Sequence, residues 1–296
     1  MEKTVSGLYE ATTRKEINQT GNQLRGASRL ANQWLRYAAS FWFVAVLAGQ
    51  WFFFYYIITF YGFSVINDNM EVWNRWEVFG KTPYQVGDFT GNLAFAAHAI
   101  GAGFVAFGGA LQLLPQMRRH FPKFHKINGY LYLLTVFLLS VSGFYLVWIR
   151  DQHPITLDGI GTSINGILIL AFTFFCARTA IKKDIRNHRK WALRLFLVSN
   201  AQWFLRLGVF SYLVTGTSLG LDPKFGDPFF PMWTFGCFVV PLVMAELYFL
   251  AGDTHRQIIK SIAACSLLIL TVLMLVGMLG FTPFLIMVMS GGEISI

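Results

Sequence analysis

The strongest constraint on this chain is a series of long apolar runs separated by short charged segments. A helix needs about 20 mostly apolar residues to cross the hydrocarbon core of a bilayer. Seven runs reach that length, at residues 38–62, 90–114, 128–149, 160–181, 191–215, 229–251 and 258–281. Because lipid cannot hydrogen-bond a free backbone, such runs predict helices rather than irregular segments. The sequence therefore predicts an all-α fold, a polytopic transmembrane helical bundle with seven spans.

The composition fits a membrane protein and excludes a soluble enzyme. Charged residues make up 13% of the chain and hydrophobic residues 55%, whereas about a quarter of the residues in soluble domains are charged. Cys176, Cys237 and Cys265 all lie inside apolar runs, where we expect small apolar side chains rather than disulfides. The sequence contains no phosphate-binding loop, dinucleotide-binding motif or nucleophile elbow, so nucleotide-driven and serine-hydrolase chemistry are not expected.

The positive charges predict the orientation of the bundle. Nineteen of the 24 Lys and Arg residues lie in residues 1–37, 115–126, 178–194 and 252–260, and short basic segments stay on the cytoplasmic side. This distribution predicts an N-terminus inside and a C-terminus outside. The net charge of +9 is therefore expected to contact anionic lipid headgroups. The expected partner is the lipid bilayer, and no nucleic-acid partner is expected.

The segment before the first span is predicted to be a basic cytoplasmic or interfacial arm, residues 1–37, followed by a transmembrane domain, residues 38–296. Four apolar residues of the arm share one helical face: Ile17, Leu24, Ala31 and Leu35. This pattern is typical of a helix that lies on the inner membrane surface. Gly21 and Gly26 weaken any helix, so a loosely ordered basic tail is the alternative.

The end of the chain also leaves two interpretations open. Pro283 interrupts an apolar tail that follows the seventh run. Residues 281–296 therefore either extend the last helix or include a short re-entrant piece.

Among the His, Lys, Arg, Asp and Glu residues of the predicted spans, His98 and Arg206 lie farthest from the span ends. A charge within a span costs a few kcal/mol on insertion scales. His98 shares a helical face with Gly101, Val105 and Gly108, and Gln112 lies farther along the same face. That face predicts close approach by a neighbouring helix or by a planar cofactor.

Arg206 forms a polar stripe with Gln202 and Ser199 on the fifth span, at about the depth of His98. The two residues could face one polar cavity or an anionic group. Alternatively, Arg206 extends its charge toward the surface or caps nearby carbonyls, and His98 is a neutral imidazole bonded to a neighbouring Ser or carbonyl.

Two further histidines stand where predicted helices begin on the cytoplasmic side. His125 precedes the third span and His188 the fifth, and Arg189 and Arg194 follow close behind His188. Axial histidines from two helices at one depth, with basic residues for the propionates, are the pattern of a membrane haem. The same residues are also common in solvated cytoplasmic loops.

At these residues the sequence resembles a family of bacterial integral membrane proteins catalogued as a domain of unknown function, DUF2306-like. The matching motifs are Ala97-His98, the run from Gly108 to Pro115, His125 with Gly129 and Tyr132, Ser142-Gly143, Ala177 to Lys182, His188-Arg189-Lys190-Trp191 with Arg194, and Leu205-Arg206. They cover a family-like core of about residues 90–210, and Lys126 and Tyr130 depart from the basic residues of the pattern. The resemblance implies a multi-pass protein of the bacterial cytoplasmic (inner) membrane, with a looser similarity to membrane b-type cytochromes.

These observations lead to a hypothesis of a membrane redox protein and to several alternatives. In the leading hypothesis, His125 and His188 ligate one b-type haem, with Arg189 and Arg194 near its propionates. His98, Arg206 and Gln202 then serve a quinone or another partner nearer the outside. The alternatives are a transporter or receptor-like protein that binds an anion or proton, a zinc-dependent membrane hydrolase, and an accessory subunit of a membrane complex. Whether the protein is an enzyme stays open.

Overall fold

In a computed structural model, the described part of the chain is built of helices without strands. The description covers residues 2–79, 82–150, 155–224 and 227–291, without the side chains of residues 2–25, 27 and 76–79. The all-α prediction is therefore confirmed over the described ranges.

Within the described ranges, ten α-helices follow one another, with short π-helical or 3-10 segments between some of them. They are α1 (Glu2–Ile57), α2 (Phe63–Ile66), α3 (Phe89–Leu113), α4 (Pro115–His120), α5 (Pro122–Tyr145), α6 (Leu157–Ile181), α7 (Ile185–Ser199), α8 (Ala201–Ser218), α9 (Phe229–Asp253) and α10 (Gln257–Ser290). A π-helical turn, Ile58–Gly62, joins α1 to α2, a second, Leu146–Arg150, extends α5, and a 3-10 helix covers Met70–Phe79.

Six of these helical segments are long and apolar enough to cross a membrane. They are Ser28–Ile66, Phe89–Leu113, Pro122–Arg150, Leu157–Ile181, Phe229–Asp253 and Gln257–Ser290. The outer faces of the helices are apolar, as a lipid environment requires. On α5, for example, Leu131, Leu134, Leu138 and Val141 are all at least half exposed.

The predicted fifth span, residues 191–215, is not one continuous helix. α7 ends at Ser199 and α8 begins at Ala201. Between them, Asn200 is buried, and its side-chain amide donates to the Phe196 carbonyl at 2.8 Å. An Asn side chain that competes for backbone carbonyls favours helix ends over helix interiors. The residues of the predicted fifth span therefore form two consecutive helices.

The helix α1 continues through the predicted boundary at residue 37 without a break. Leu35 and Ala38 are buried in a cluster with Ala264 and Leu267 of α10. The last turns of the arm therefore pack against the bundle, while the side chains of Ile17 and Leu24 lie outside the described residues.

Contacts between helix termini define one end of the bundle, which we call the basic end. Asp253, the last residue of α9, pairs with Lys190 near the start of α7 at 2.9 Å. Lys260, near the start of α10, donates to Asn32 of α1 at 2.6 Å. The basic end therefore holds residues 28–37 of α1, the starts of α7 and α10, the end of α9 and the turn between α6 and α7. Helix α4 and the start of α5 also lie there, because His125 of α5 is within electrostatic range of His188 of α7 and of Arg118 of α4.

Other contacts define the opposite end. Arg150 is only 4% exposed and pairs with Asp88, directly before α3, at 2.9 Å. Thr234, near the start of α9, donates to Asp158 in the first turn of α6 at 2.7 Å. The ends of α5 and the starts of α3, α6 and α9 are therefore together, away from the basic end.

The final helix runs on through Pro283 to Ser290, and Gly291 ends it with a left-handed φ of 76°. Arg75 from the 3-10 helix donates to the carbonyls of Val288 and Met289 at 2.8 and 3.0 Å. These bonds satisfy carbonyl groups that a helix end leaves free. Of the two interpretations of this tail, the longer helix is therefore observed up to Ser290, while residues 292–296 lie outside the described residues.

Candidate functional site

The small-residue face of α3 is covered by side chains of α5. A Cβ atom on Gly101 would lie 2.9 Å from Leu139 Cδ2, and one on Gly108 would lie 2.9 Å from Asn128 Oδ1. Gln112, on the same face, donates to the His125 carbonyl at 2.9 Å. A neighbouring helix, rather than a planar cofactor, therefore lies against this face.

His98 is held at the same α3–α5 interface. Its Nδ1 lies 2.8 Å from Ser142 Oγ, and Ser142 also contacts the Leu139 carbonyl at 3.1 Å. Because the hydroxyl has one hydrogen and the carbonyl can only accept, we assign Nδ1–H of His98 as the donor to Ser142. The imidazole also lies next to Gly143, where a Cβ would be in ordinary van der Waals contact with His98 Cε1 at 3.5 Å. Ser142 thus positions His98 and leaves the lone pair on its Nε2.

Arg206 lies on a different side of the bundle. Its guanidinium donates to the Gln202 carbonyl one turn earlier at 2.6 Å and sits 5.8 Å from the ring centroid of Phe53 in α1. The Gln202 side chain is exposed. Among the described residues, His98 and Arg206 therefore share no partner, because His98 is bonded to Ser142 of α5 and Arg206 contacts Gln202 of its own helix and Phe53 of α1.

His125 and His188 occupy equivalent positions at the basic end. Each is the fourth residue of its helix, α5 or α7, and the two imidazoles lie within electrostatic range of each other and of Arg118. Nδ1 of His125 is buried and has no hydrogen-bond partner among the described residues. A buried polar atom of this kind is unfavourable unless something else satisfies it.

The His188 ring is fixed by the backbone of α6. Its Nδ1 lies 3.1 Å from the Cys176 carbonyl and 3.6 Å from Cys176 Sγ. A carbonyl can only accept, so Nδ1 carries the proton and Nε2 has the lone pair. A hydrogen bond from one ring nitrogen to a carbonyl is also how protein ligands of metals are commonly oriented.

The start of α7, which carries His188, is anchored by Asp184. The Asp184 side chain accepts from the Asn187 backbone N–H at 3.2 Å and from its side-chain amide at 2.7 Å. These two hydrogen bonds hold the pKa of Asp184 below its usual value. An ionised acidic cap at the start of a helix stabilises its first turn, and this fixes the depth of His188.

The basic residues around the two histidines differ in how freely they could bind a ligand. Arg194 forms two hydrogen bonds with Glu246 of α9, at 2.6 and 2.9 Å, and stacks on the Trp191 ring at 4.6 Å. Arg189 is exposed, and among the described residues it pairs with no carboxylate. Arg118 of α4, which sequence analysis did not single out, lies near His125.

Polar side chains also occur farther along α5, α6 and α7. Tyr132 and Ser199 share a hydrogen bond of 2.5 Å, and Thr173 Oγ1 is buried without a partner among the described residues. Sequence analysis missed Thr173 and the role of the Cys176 carbonyl. The hydroxyl of Thr173 within an apolar run was an available signal for that residue, whereas the Cys176 carbonyl is a backbone atom that no residue type identifies.

No group of three metal-ligating His, Cys, Asp or Glu side chains occurs within the described ranges. Structural and catalytic zinc sites generally use three or four protein ligands. His120 and His255, the other described histidines at the basic end, are exposed. The geometry therefore adds nothing in favour of the zinc hydrolase alternative.

Long helices with lipid-facing apolar surfaces define this chain as a multi-pass helical membrane protein. A family model described as a predicted membrane protein, DUF2306, matches residues 95–249. Because this match covers more than half of the 296-residue chain, the protein belongs to the DUF2306 family, as the motifs indicate. The match extends beyond the core at residues 90–210 and includes most of α9. The chain matches no curated protein and no solved structure.

Proposed function

We propose that this protein is a redox protein of the bacterial cytoplasmic membrane that holds one b-type haem between His125 and His188. The observation that carries the proposal is the state of the two rings. Nδ1 of His188 is bonded to the Cys176 carbonyl, and Nδ1 of His125 is buried without a partner in the part of the chain that the structure describes. The His188 ring therefore has a free lone pair on Nε2, and the His125 ring has a nitrogen that a bound group could satisfy. A haem iron held by two imidazoles would supply one-electron transfer.

The basic residues suggest which side chains would hold the haem propionates. Arg189 is exposed and Arg118 lies near His125, so both are available to an anionic group. Arg194, the other candidate from the sequence, already has a bidentate carboxylate partner in Glu246. We therefore propose Arg118 and Arg189 as the propionate ligands and expect Arg194 to position the α7–α9 contact instead.

The proposed topology has seven crossings, with the N-terminus inside and the C-terminus outside. In addition to the six helical segments described above, the α7–α8 pair would form the remaining crossing, the fifth along the chain. It begins beside the end of α9, where Lys190 contacts Asp253, and it ends beside the start of α9, where Tyr212 donates to Asp227 at 2.7 Å. Helix α7 has 15 residues and α8 has 18. Together they would span about 50 Å as helices, which exceeds the hydrocarbon thickness of about 30 Å. The excess of Lys and Arg at the basic end supports a cytoplasmic location for that end.

Quinone is the proposed electron-transfer partner. His98 keeps a lone pair on Nε2 because Nδ1 binds Ser142, and an imidazole in this tautomer can accept from a quinol hydroxyl. Arg206 and the exposed Gln202 lie on another face of the bundle, so they would contact quinone only from a separate position. A His98→Gln variant with normal haem content is expected to be reduced more slowly by a water-soluble quinol than the unsubstituted protein.

The test is a visible absorption spectrum of the full-length protein, purified in mild detergent from cells supplied with haem precursor. We expect a Soret band that shifts on addition of dithionite, with the sharp α band of a six-coordinate low-spin haem. His125→Gln and His188→Gln should each lose this spectrum. The matched control is His120→Gln, which removes an exposed histidine at the same end and should keep it.

A featureless spectrum of the well-folded protein, before and after dithionite, would refute the haem proposal. An unchanged spectrum in both His125→Gln and His188→Gln would refute the assigned ligands. If the spectrum is featureless and substitution of His98 or Arg206 alters ion uptake into vesicles, the transporter alternative replaces the redox proposal.

A further inference from the structure

A cleft at the basic end lies between α1, α7 and α9, apart from the two histidines. It has a volume of about 500 Å³ and is lined by charged and polar side chains that include Arg36, Lys190, Tyr248 and Asp253. Leu35 and Phe249 contribute apolar surface to the same cleft. A cationic rim beside an apolar wall suits a ligand that is itself anionic at one end and apolar at the other.

The electrostatics of this cleft favour an anion. Asp253 is its one carboxylate and is already neutralised by Lys190 and Arg186, each at 2.9 Å. Arg36 is exposed to the cleft and has no carboxylate partner within the part of the chain that the structure describes. The charge on Arg36 is therefore available. Arg186 and Lys190 together outweigh the single carboxylate of Asp253, so Lys190 keeps a positive environment on the facing helix.

The cleft lies at the depth of the lipid headgroups. Trp34 and Tyr37 flank Arg36 on α1 and are 60% and 69% exposed, and exposed Trp and Tyr are concentrated at the membrane–water interface. Deeper along the same helices, Phe41 of α1 and Leu250 of α9 are also exposed. A ligand in the cleft could thus place its charge on Arg36 and Lys190 and its chain along these apolar side chains.

We propose that this cleft is a binding site for an anionic phospholipid, with the headgroup phosphate between Arg36 and Lys190. Hydrogen-bond donors are available for the other headgroup oxygens. The side-chain amide N–H₂ of Asn32 is one, because its Oδ1 accepts from Lys260, and the Tyr248 hydroxyl is another. Basic pockets between transmembrane helices on the cytoplasmic side are a known mode of lipid recognition.

The experiment measures thermal stability and bound lipid for the full-length protein in a neutral detergent. Dioleoyl phosphatidylglycerol and dioleoyl phosphatidylcholine are compared at equal concentration, and inorganic phosphate and glycerol phosphate are added in separate samples. We expect phosphatidylglycerol to raise Tm more than phosphatidylcholine does and to be retained in native mass spectra. The soluble phosphates should give little stabilisation because they lack the acyl chains.

Two variants and one matched control locate the site. Arg36→Gln and Lys190→Gln should each bind phosphatidylglycerol about fivefold more weakly, since one basic residue near an anionic lipid surface contributes about that factor. Arg178→Gln removes an exposed charge from the last turn of α6, at the same end, and does not line the cleft. This control should bind the lipid as the unsubstituted protein does.

Melting temperatures without added lipid show whether each variant is folded. Equal effects of phosphatidylglycerol and phosphatidylcholine would overturn the proposal. The proposal would also fail if Arg36→Gln and Arg178→Gln reduced the affinity for phosphatidylglycerol by the same factor. Full stabilisation by inorganic phosphate alone would assign the cleft to a free anion instead of a lipid.

Discussion

Substitution of Gly277 tests the packing of α10 against the broken α7–α8 segment. Gly277 is buried, and a Cβ atom there would collide with the carbonyl oxygen of Leu207 in α8. That oxygen belongs to the helical backbone, so it cannot move aside as the end of a flexible side chain could. We therefore expect Gly277→Ala to push α8 and α10 apart and to destabilise the protein.

The size of this effect follows from two opposing contributions. Overpacking a close contact costs about 1–3 kcal/mol, whereas Ala favours a helix over Gly by up to about 1 kcal/mol. The net destabilisation is then about 1–2 kcal/mol. At about 2–4 °C of Tm per kcal/mol for a protein of this general size, Gly277→Ala should lower Tm by several degrees.

Gly252→Ala in α9 is the matched control, because a Cβ at Gly252 would have no atom within 4 Å. It should leave Tm unchanged or raise it slightly. Both variants are purified in the same detergent and melted while the soluble folded fraction is followed by size-exclusion chromatography. A Tm for Gly277→Ala equal to or above that of Gly252→Ala would contradict the close approach of α8 and α10.

Three further outcomes follow from hydrogen bonds and ion pairs. Arg150→Met removes a nearly buried guanidinium and should lower Tm by several degrees, whereas Lys224→Met, which removes an exposed ion pair, should change Tm little. Equal melting temperatures for these two variants would count against the Arg150 network. Hydrogen bonds from Arg150 and a backbone N–H lower the pKa of Asp88 in the folded protein. The ionised Asp88 therefore stabilises the fold fully above the pKa of the unfolded state, and this stabilisation is lost as pH falls through the lower pKa of the folded state. The difference in Tm between the unsubstituted protein and Asp88→Asn should therefore shrink as pH falls below about 4, and a difference that grows with acidification would refute this sign. Tyr132→Phe removes the hydrogen bond to Ser199, whose hydroxyl keeps the Phe196 carbonyl as a partner. Chemical unfolding should therefore show a free energy of unfolding lower by about 0.5–1.5 kcal/mol. A decrease well above this range would show that the Tyr132 hydroxyl has another role.

Most of the fold could be predicted from the sequence because lipid imposes a simple rule on backbone hydrogen bonds. Each long apolar run had to become a helix, and six of the seven did so without interruption. The break at Asn200 could not be seen from hydropathy, because averaging over 20 residues hides one residue whose side chain competes for a carbonyl. The Ser199-Asn200 pair was the local signal, since both residues favour helix ends.

The candidate site was predictable only where it depended on helix starts. His125 and His188 lie within electrostatic range because both begin helices at one end of the bundle. The pairing of Arg194 with Glu246 required knowing which helices are neighbours, and this cannot be read from one sequence. The Cys176 carbonyl that holds His188 is a backbone atom, so no residue type could identify it.

The most direct test of the central proposal is the amount of haem bound per chain. Protein purified from haem-sufficient cells is split into two samples, one for pyridine haemochrome absorbance and one for quantitative amino-acid analysis. A haem between His125 and His188 predicts a ratio near one for the unsubstituted protein and for His120→Gln, and near zero for the double variant His125→Gln/His188→Gln. A ratio near zero for the folded, unsubstituted protein, or an unchanged ratio in the double variant, would contradict it.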